Sequence, residues 1–190
     1  KASSGDMRTY IKLRKAALKG KVRFLNETNA GAGLPVISTL QGLLNSGDEM
    51  LKIEAVLSGT LSYIFNSYDG VVPFSKVVKQ AQEKGYTEPD PRDDLNGLDV
   101  ARKLLILARE SGENMELKDI QVENLVPENC RGAGSINDFF ENLKQADKYF
   151  EEKLKEAKKH GKKLCYIGKI ENKKAFVTLE AIESTHPFYN

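Results

Sequence analysis

Apolar residues recur along this chain at two spacings, and the places where one yields to the other define the expected elements. Met7, Tyr10, Ile11 and Leu18 in DMRTYIKLRKAAL keep helical spacing, whereas KVRFLNE (21–27) alternates like a short strand with Val22 and Phe24 on one face. In LPVISTLQGLLN, Pro35 suits a first helical turn, and Val36, Ile37, Leu40, Leu43 and Leu44 form one stripe. MLKIEAVLS (50–58) alternates through Leu51, Ile53, Ala55 and Leu57, the pattern of a strand with one buried face. TLSYIFNSY predicts a short helix, and SKVVKQAQEKG a second one ending at Gly85. The clearest helix is DVARKLLILARESG (99–112), with Val100, Leu104 and Leu107 facing one way and Gly112 as its stop. Residues 135–160 predict two more helices, the second very polar, and KLCYIGKI with KAFVTLEAIE predicts a hairpin around ENKK. Strands therefore occur both separated by helices and side by side. The expected fold is α/β (α+β), a mixed β-sheet covered by helices. The chain starts abruptly and stops just after a strand, so residues 1–190 are expected to be one domain cut from a larger protein at both ends.

Composition narrows the classes. At 190 residues, 40% hydrophobic and 29% charged, the chain is long enough for one sizeable core or two small ones. A formal charge of +2 argues against a nucleic-acid binder, and the basic run KLKEAKKHGKK (153–163) is interleaved with glutamates as a solvated face would be. Cys130 and Cys165 have no CxxC spacing and only two histidines for company, which disfavours zinc or a disulfide framework. No apolar run reaches the ~20 residues of a membrane span and no signal sequence opens the chain, so a cytosolic (cytoplasmic) protein without membrane partners is expected.

Two stretches carry candidate chemistry. NAGAGLPVISTL (29–40) sits where a dinucleotide-binding turn would sit, but the third glycine of that fingerprint falls on Val36. Gly31 and Gly33 still allow a tight turn with carbonyls pointing inward, and with Glu27 upstream such a loop can hold a hard cation through oxygens. A glycine-rich turn without any ligand has the same signature. The second stretch, GYTEPDPRDDLNGLDVARK (85–103), packs five carboxylates (Glu88, Asp90, Asp93, Asp94, Asp99) into twelve positions, and Lys103 follows Asp99 by one helical turn. Singly, each residue reads as structural: Asp99 and Lys103 as an exposed ion pair contributing about 0.3–0.5 kcal/mol, Asp94 or Asn96 as a cap, Asp90 as a turn residue. As a set, these acids meet one lysine and a helix N-terminus, and nothing near them in sequence neutralises the rest. A substrate ammonium would supply the missing charge, and a lysine tuned by burial can exchange a proton with a carbonyl or hydroxyl.

NETNAGAGLPVI, LSGTLSYIFN and GYTEPDPRDDLNGLDVARKLLILARESG together resemble homoserine dehydrogenase, most of all the dehydrogenase half of the bifunctional aspartokinase–homoserine dehydrogenases. The resemblance implies reduction of L-aspartate 4-semialdehyde to L-homoserine with NADPH or NADH, on the route to threonine, methionine and isoleucine. It places substrate binding on Glu88, Asp94 and Asp99, with Tyr86 at the pocket wall and Gly59 and Thr60 lining it. Lys103 becomes the proton donor to the aldehyde oxygen, and Asp99 its orienting partner. A sodium-type monovalent cation falls on Glu27 and the carbonyls of Ala30, Ala32 and Leu34. The family's nicotinamide-binding (Rossmann) domain lies N-terminal to this segment, and a cofactor-proximal lysine would sit at or just before Lys1. No cofactor-binding residue is therefore assigned within the chain. What the resemblance leaves here is the substrate-binding and dimerisation domain, expected to form a homodimer or larger homo-oligomer and to be inactive by itself. The rival from another class is a non-catalytic oligomerisation module whose acidic loop only caps a helix.

Overall fold

The computed structural model describes residues 2–189; Lys1, where the cofactor-proximal lysine was expected, lies outside the described residues. Ten α-helices are defined among them: α1 (Met7–Lys19), α2 (Thr28–Gly31), α3 (Val36–Asn45), α4 (Gly59–Ser67), α5 (Phe74–Glu83), α6 (Arg92–Leu95), α7 (Leu98–Glu110), α8 (Glu128–Arg131), α9 (Ile136–Leu143) and α10 (Asp147–Lys159). Strands β1 (Lys52–Ala55), β2 (Ile120–Val122), β3 (Lys163–Glu171) and β4 (Lys174–Ile182) form one mixed sheet in the order β1-β3-β4-β2. The α/β class read from the spacing is the class observed. The chain gathers into two compact units. One holds the N-terminal segment to Leu57, Val100–Gln121 and Gly168–Val177; the other holds Ser58–Asp99, Val122–Ile167 and the segment from Thr178.

In the first unit, β1 runs antiparallel to β3, from Lys52 opposite Glu171 to Ala55 opposite Gly168. Glu54 lies directly across from Lys169 and bridges to it and to Lys52 at 3.1 Å each, an opposite-charge pairing that favours this register. Ala30, Ile37, Ile106 and Leu107 form a buried cluster here, with Val36, Ile53 and Leu57 packed against it. Polar groups are buried too. Glu110 accepts from Asn26 at 2.9 Å and from Gln41 at 2.5 Å, and Arg109 donates to the Ser3 and Gly5 carbonyls and to Glu116. Helix α7 is thus buried around most of its second half, from Leu104 to Glu110, and not along one stripe as its spacing suggested.

The second unit packs on aromatic side chains. Phe74 of α5 stacks on Phe150 of α10 with centroids 3.7 Å apart, and Phe65 of α4 and Tyr68, the residue that ends that helix, stand against Phe74. Asp147 accepts from both the amide and the hydroxyl of Ser75, capping α5 from a helix far away in sequence. The expected hairpin of β3 and β4 forms, its turn in the first unit passing through Asn172 (φ 51) and Lys173 (φ 60), the two left-handed residues that a tight two-residue turn requires.

Several expectations fail for physical reasons. KVRFLNE forms no strand: among the described residues no strand pairs with it to supply a hydrogen-bonding ladder, and Val22 is 65% and Leu25 81% exposed. Leu51 is 80% exposed and outside β1, and Leu43 leaves the apolar stripe of α3 at 51% exposure. Apart from these differences the hairpin is as expected, and in the sheet its strands β3 and β4 lie inside, with β1 and β2 at the edges.

Candidate active site

The site assembles where the start of α4 meets the loop after α5. Ser58 caps α4 by accepting the Leu61 amide at 3.1 Å, which places Gly59 and Thr60 in the first turn. The Thr60 hydroxyl donates to the Tyr86 carbonyl at 2.6 Å. Asp94 of α6 accepts the Glu88 amide at 2.8 Å and also lies against the Thr60 hydroxyl. Thr60, Tyr86, Glu88 and Asp94, expected together, are therefore brought together. Gly59 is exposed with open space where a side chain would stand, so its backbone is accessible beside them. The Tyr86 ring is half exposed, and Glu88 is exposed.

The acids are not equivalent. Burial pushes the Asp94 carboxyl above its ordinary value; the Glu88 amide and Thr60 hydroxyl pull it back, and the neighbouring Glu88 and Asp93 carboxylates raise it further. Thr60 has one hydroxyl proton to divide between Asp94 and the Tyr86 carbonyl, so it solvates the carboxylate only in part. Asp90 is already satisfied. Arg92 binds it through Nε and Nη2, holding its carboxyl below the usual range, and donates through Nη1 to the Ala133 carbonyl. The expectation that nothing near in sequence neutralises these acids is corrected by this arginine, two residues from Asp90 and visible in the sequence.

Helix α7 presents Asp99 in its first turn and Lys103 one turn later. The turn that launches it depends on Asn96, which accepts the Leu98 amide at 2.8 Å, and on Gly97 at φ +74. A Cβ on Gly97 would stand 2.1 Å from the Tyr166 hydroxyl and 2.9 Å from Val122 Cγ1, so only glycine fits. Lys103 Nζ donates to the Leu57 carbonyl at 2.7 Å, a partner the sequence did not suggest. Leu57 directly precedes Ser58, the cap of α4.

The Glu27 loop has a different construction. Residues Thr28–Gly31 form the short helix α2, and the left-handed residue is Ala32 (φ 53), not either glycine. A Cβ on Gly31 would lie 2.6 Å from Val36 Cγ2, so this glycine permits close packing. Both Glu27 oxygens are engaged, accepting the Ile37 amide at 2.6 Å and the Ser38 amide at 2.9 Å at the start of α3. Burial works to raise the Glu27 carboxyl, but these amides outweigh it and hold it below its ordinary value. The Leu34 carbonyl accepts the Val36 amide, while Ala30 is buried and Ala32 exposed.

A family model for homoserine dehydrogenase matches residues 35–190. This chain belongs to the homoserine dehydrogenase family. It is 48% identical over 190 residues to a chloroplastic bifunctional aspartokinase/homoserine dehydrogenase of Daucus carota, covering 99% of this chain and 21% of that protein. The corresponding bifunctional protein of Haemophilus influenzae is 47% identical over 189 residues, covering 100% of this chain and 23% of the relative. The chain thus spans about a fifth of the length of these curated relatives. Among solved structures, a Candida auris protein of unknown function superposes with a TM-score of 0.89 at 38% identity, covering all of this chain and 55% of its own. The homoserine dehydrogenase of Thiobacillus denitrificans shares the fold, with a TM-score of 0.75 at 23% identity over 94% of this chain and 38% of that one.

Proposed function

We propose that this chain is the substrate-binding and self-associating domain of an enzyme that interconverts L-aspartate 4-semialdehyde and L-homoserine with NAD(P) in amino-acid biosynthesis. Asp94 carries the reading. Its carboxylate is partly withdrawn from water, incompletely supplied with donors, and flanked by other acids, so a ligand ammonium would relieve it where a neutral ligand would not. Glu88 and Asp94 fix that ammonium, with Tyr86, Thr60 and the Gly59 backbone forming the wall. Asp99 binds substrate and orients Lys103. Lys103 hands a proton to the substrate oxygen as the aldehyde is reduced and recovers it in the reverse direction. One of its three N–H donors is committed to the Leu57 carbonyl, which fixes where the ammonium stands.

A dinucleotide does not fit the glycine loop before α3. The α3 amides that would receive a pyrophosphate already hold Glu27, and Gly31 is occupied by packing against Val36. What this chain contributes is substrate handling and assembly. The same loop is the proposed seat of a monovalent cation, through Glu27 and the carbonyls of Ala30, Ala32 and Leu34. Homo-oligomerisation is proposed through the sheet ends at β1 and β2, which must be covered; light scattering on the isolated chain tests it, and a monomer would refute it.

The deciding experiment compares L-homoserine with its analogue lacking the ammonium. In the complete enzyme, Asp94→Asn is expected to raise KM for homoserine about tenfold or more and to leave binding of the analogue unchanged. A module serving assembly alone would show no saturable response to homoserine.

A further inference from the structure

The loop carrying Glu88 and Asp94 begins at Tyr86, whose backbone is fixed on both sides. Its amide donates to the Ala81 carbonyl at 2.9 Å, and its carbonyl accepts Thr60 Oγ1 at 2.6 Å. The side chain is another matter. It is 52% exposed and stands edge-on to Tyr63, with centroids 4.8 Å apart at 74°. Tyr63 is in turn held by Lys84, whose Nζ donates to the phenol oxygen at 2.9 Å and lies 5.3 Å from the ring centre. Lys84 precedes Tyr86 by two residues, and Tyr63 follows Thr60 by three, one turn along α4. The start of α4 and the end of α5 are therefore joined twice: once by the Thr60–Tyr86 bond at the site, and once by the Lys84–Tyr63–Tyr86 contacts beside it.

Lys84 is exposed, and fixing an exposed lysine costs side-chain freedom while such surface pairs return little net stability. The consequence of the contact lies instead in what it holds still. We infer that Tyr63 and Lys84 are positioning residues of the substrate site, which lock the Tyr86 ring and keep the Thr60–Tyr86 junction in the shape that receives the substrate. The bond from Lys84, followed by one involving Ser67, also holds the Tyr63 phenol below its ordinary pKa, as expected for a charge-assisted contact. This inference rests on the proposed reading of Thr60, Tyr86, Glu88 and Asp94 as the substrate site.

Steady-state kinetics of the complete enzyme test it. Tyr63→Phe retains the ring contact but loses the bond to Lys84, and Lys84→Met loses the same bond from the other side. Each is expected to raise KM for L-homoserine roughly three- to tenfold, with kcat changed by less than about twofold and an unchanged melting temperature. Because both remove the Lys84–Tyr63 bond, the double variant should fall well short of the product of the two single losses, and Lys84→Arg should restore most of the loss. Wild-type KM in both single variants, independent additive losses, or a fall in melting temperature matching the kinetic loss would each overturn the inference. Asp94→Asn separates the two failures. If it raises KM while Tyr63→Phe and Lys84→Met do not, positioning alone is refuted; if it too leaves KM unchanged, the substrate site falls and the inference with it.

Discussion

The acidic loop around Asp94 and the glycine loop around Glu27 look alike in sequence: each places a carboxylate and glycines just before a helix. Their carboxylates are in opposite states. Glu27 is saturated by two backbone amides of the helix it caps, and those amides lower its pKa. Asp94 has one backbone amide and part of one hydroxyl proton, and burial raises its pKa. A carboxylate that the fold has already satisfied stabilises the fold. One left short of donors is held ready for a ligand.

The sharpest way to break this contrast is at Lys103, the cation assigned to the acidic side of it. Lys103→Ala in the complete enzyme should lower kcat by about 10²–10⁴-fold, since loss of a general acid typically costs that much, while cofactor binding changes little. Near wild-type turnover would remove Lys103 from the chemistry and leave the acids as surface.

Next in size is the glycine that launches its helix. Gly97→Ala combines a left-handed backbone with a clash against the Tyr166 hydroxyl, whose bond to the Glu123 carbonyl at 2.6 Å resists displacement. A loss on the order of 3 kcal/mol or more is expected by chemical denaturation. A loss under about 1 kcal/mol would show that the turn before Asp99 relaxes freely.

The two carboxylates should also answer acid in opposite directions. Asp94, with its pKa raised on folding, contributes stability that is fully present below its unfolded pKa and lost as pH rises through its folded one. Asp94→Asn should therefore leave the ligand-free protein at least as stable as wild type at neutral pH, with the difference closing on acidification. Glu27, with its pKa lowered, contributes stability that is present above its unfolded pKa and lost as pH falls through its folded one. Glu27→Gln should be less stable at neutral pH, again converging in acid. Thermal unfolding of both variants from neutral pH down through the carboxylate range checks the signs, and matching signs would erase the distinction.

The smallest effect concerns the cation. A monovalent ion at the Glu27 loop has to share its carboxylate with two amides, so exhaustive removal of sodium and potassium should reduce activity only a few-fold, reversibly. Identical activity in both conditions would leave Glu27 solely a helix cap.

Much of this molecule was legible from residue order alone. The period of Val100, Leu104 and Leu107 gives a helix wherever it occurs, and ENKK between two alternating runs gives a hairpin, because these signals are local. The density of acids in GYTEPDPRDDLNGLD and its specific resemblance likewise pointed to one family. What stayed hidden depends on partners distant in the chain. KVRFLNE has strand alternation but no ladder to join. Asp90 and Asp94 look equally available, yet Arg92 folds back onto one while the other is half-buried against Thr60, 34 residues earlier. The Leu57 carbonyl that receives Lys103 lies 46 residues from it. Sequence determined which elements form and which groups are present. Only the tertiary structure decided which of those groups the fold already satisfies, because desolvation and hydrogen-bond supply are set by neighbours in space.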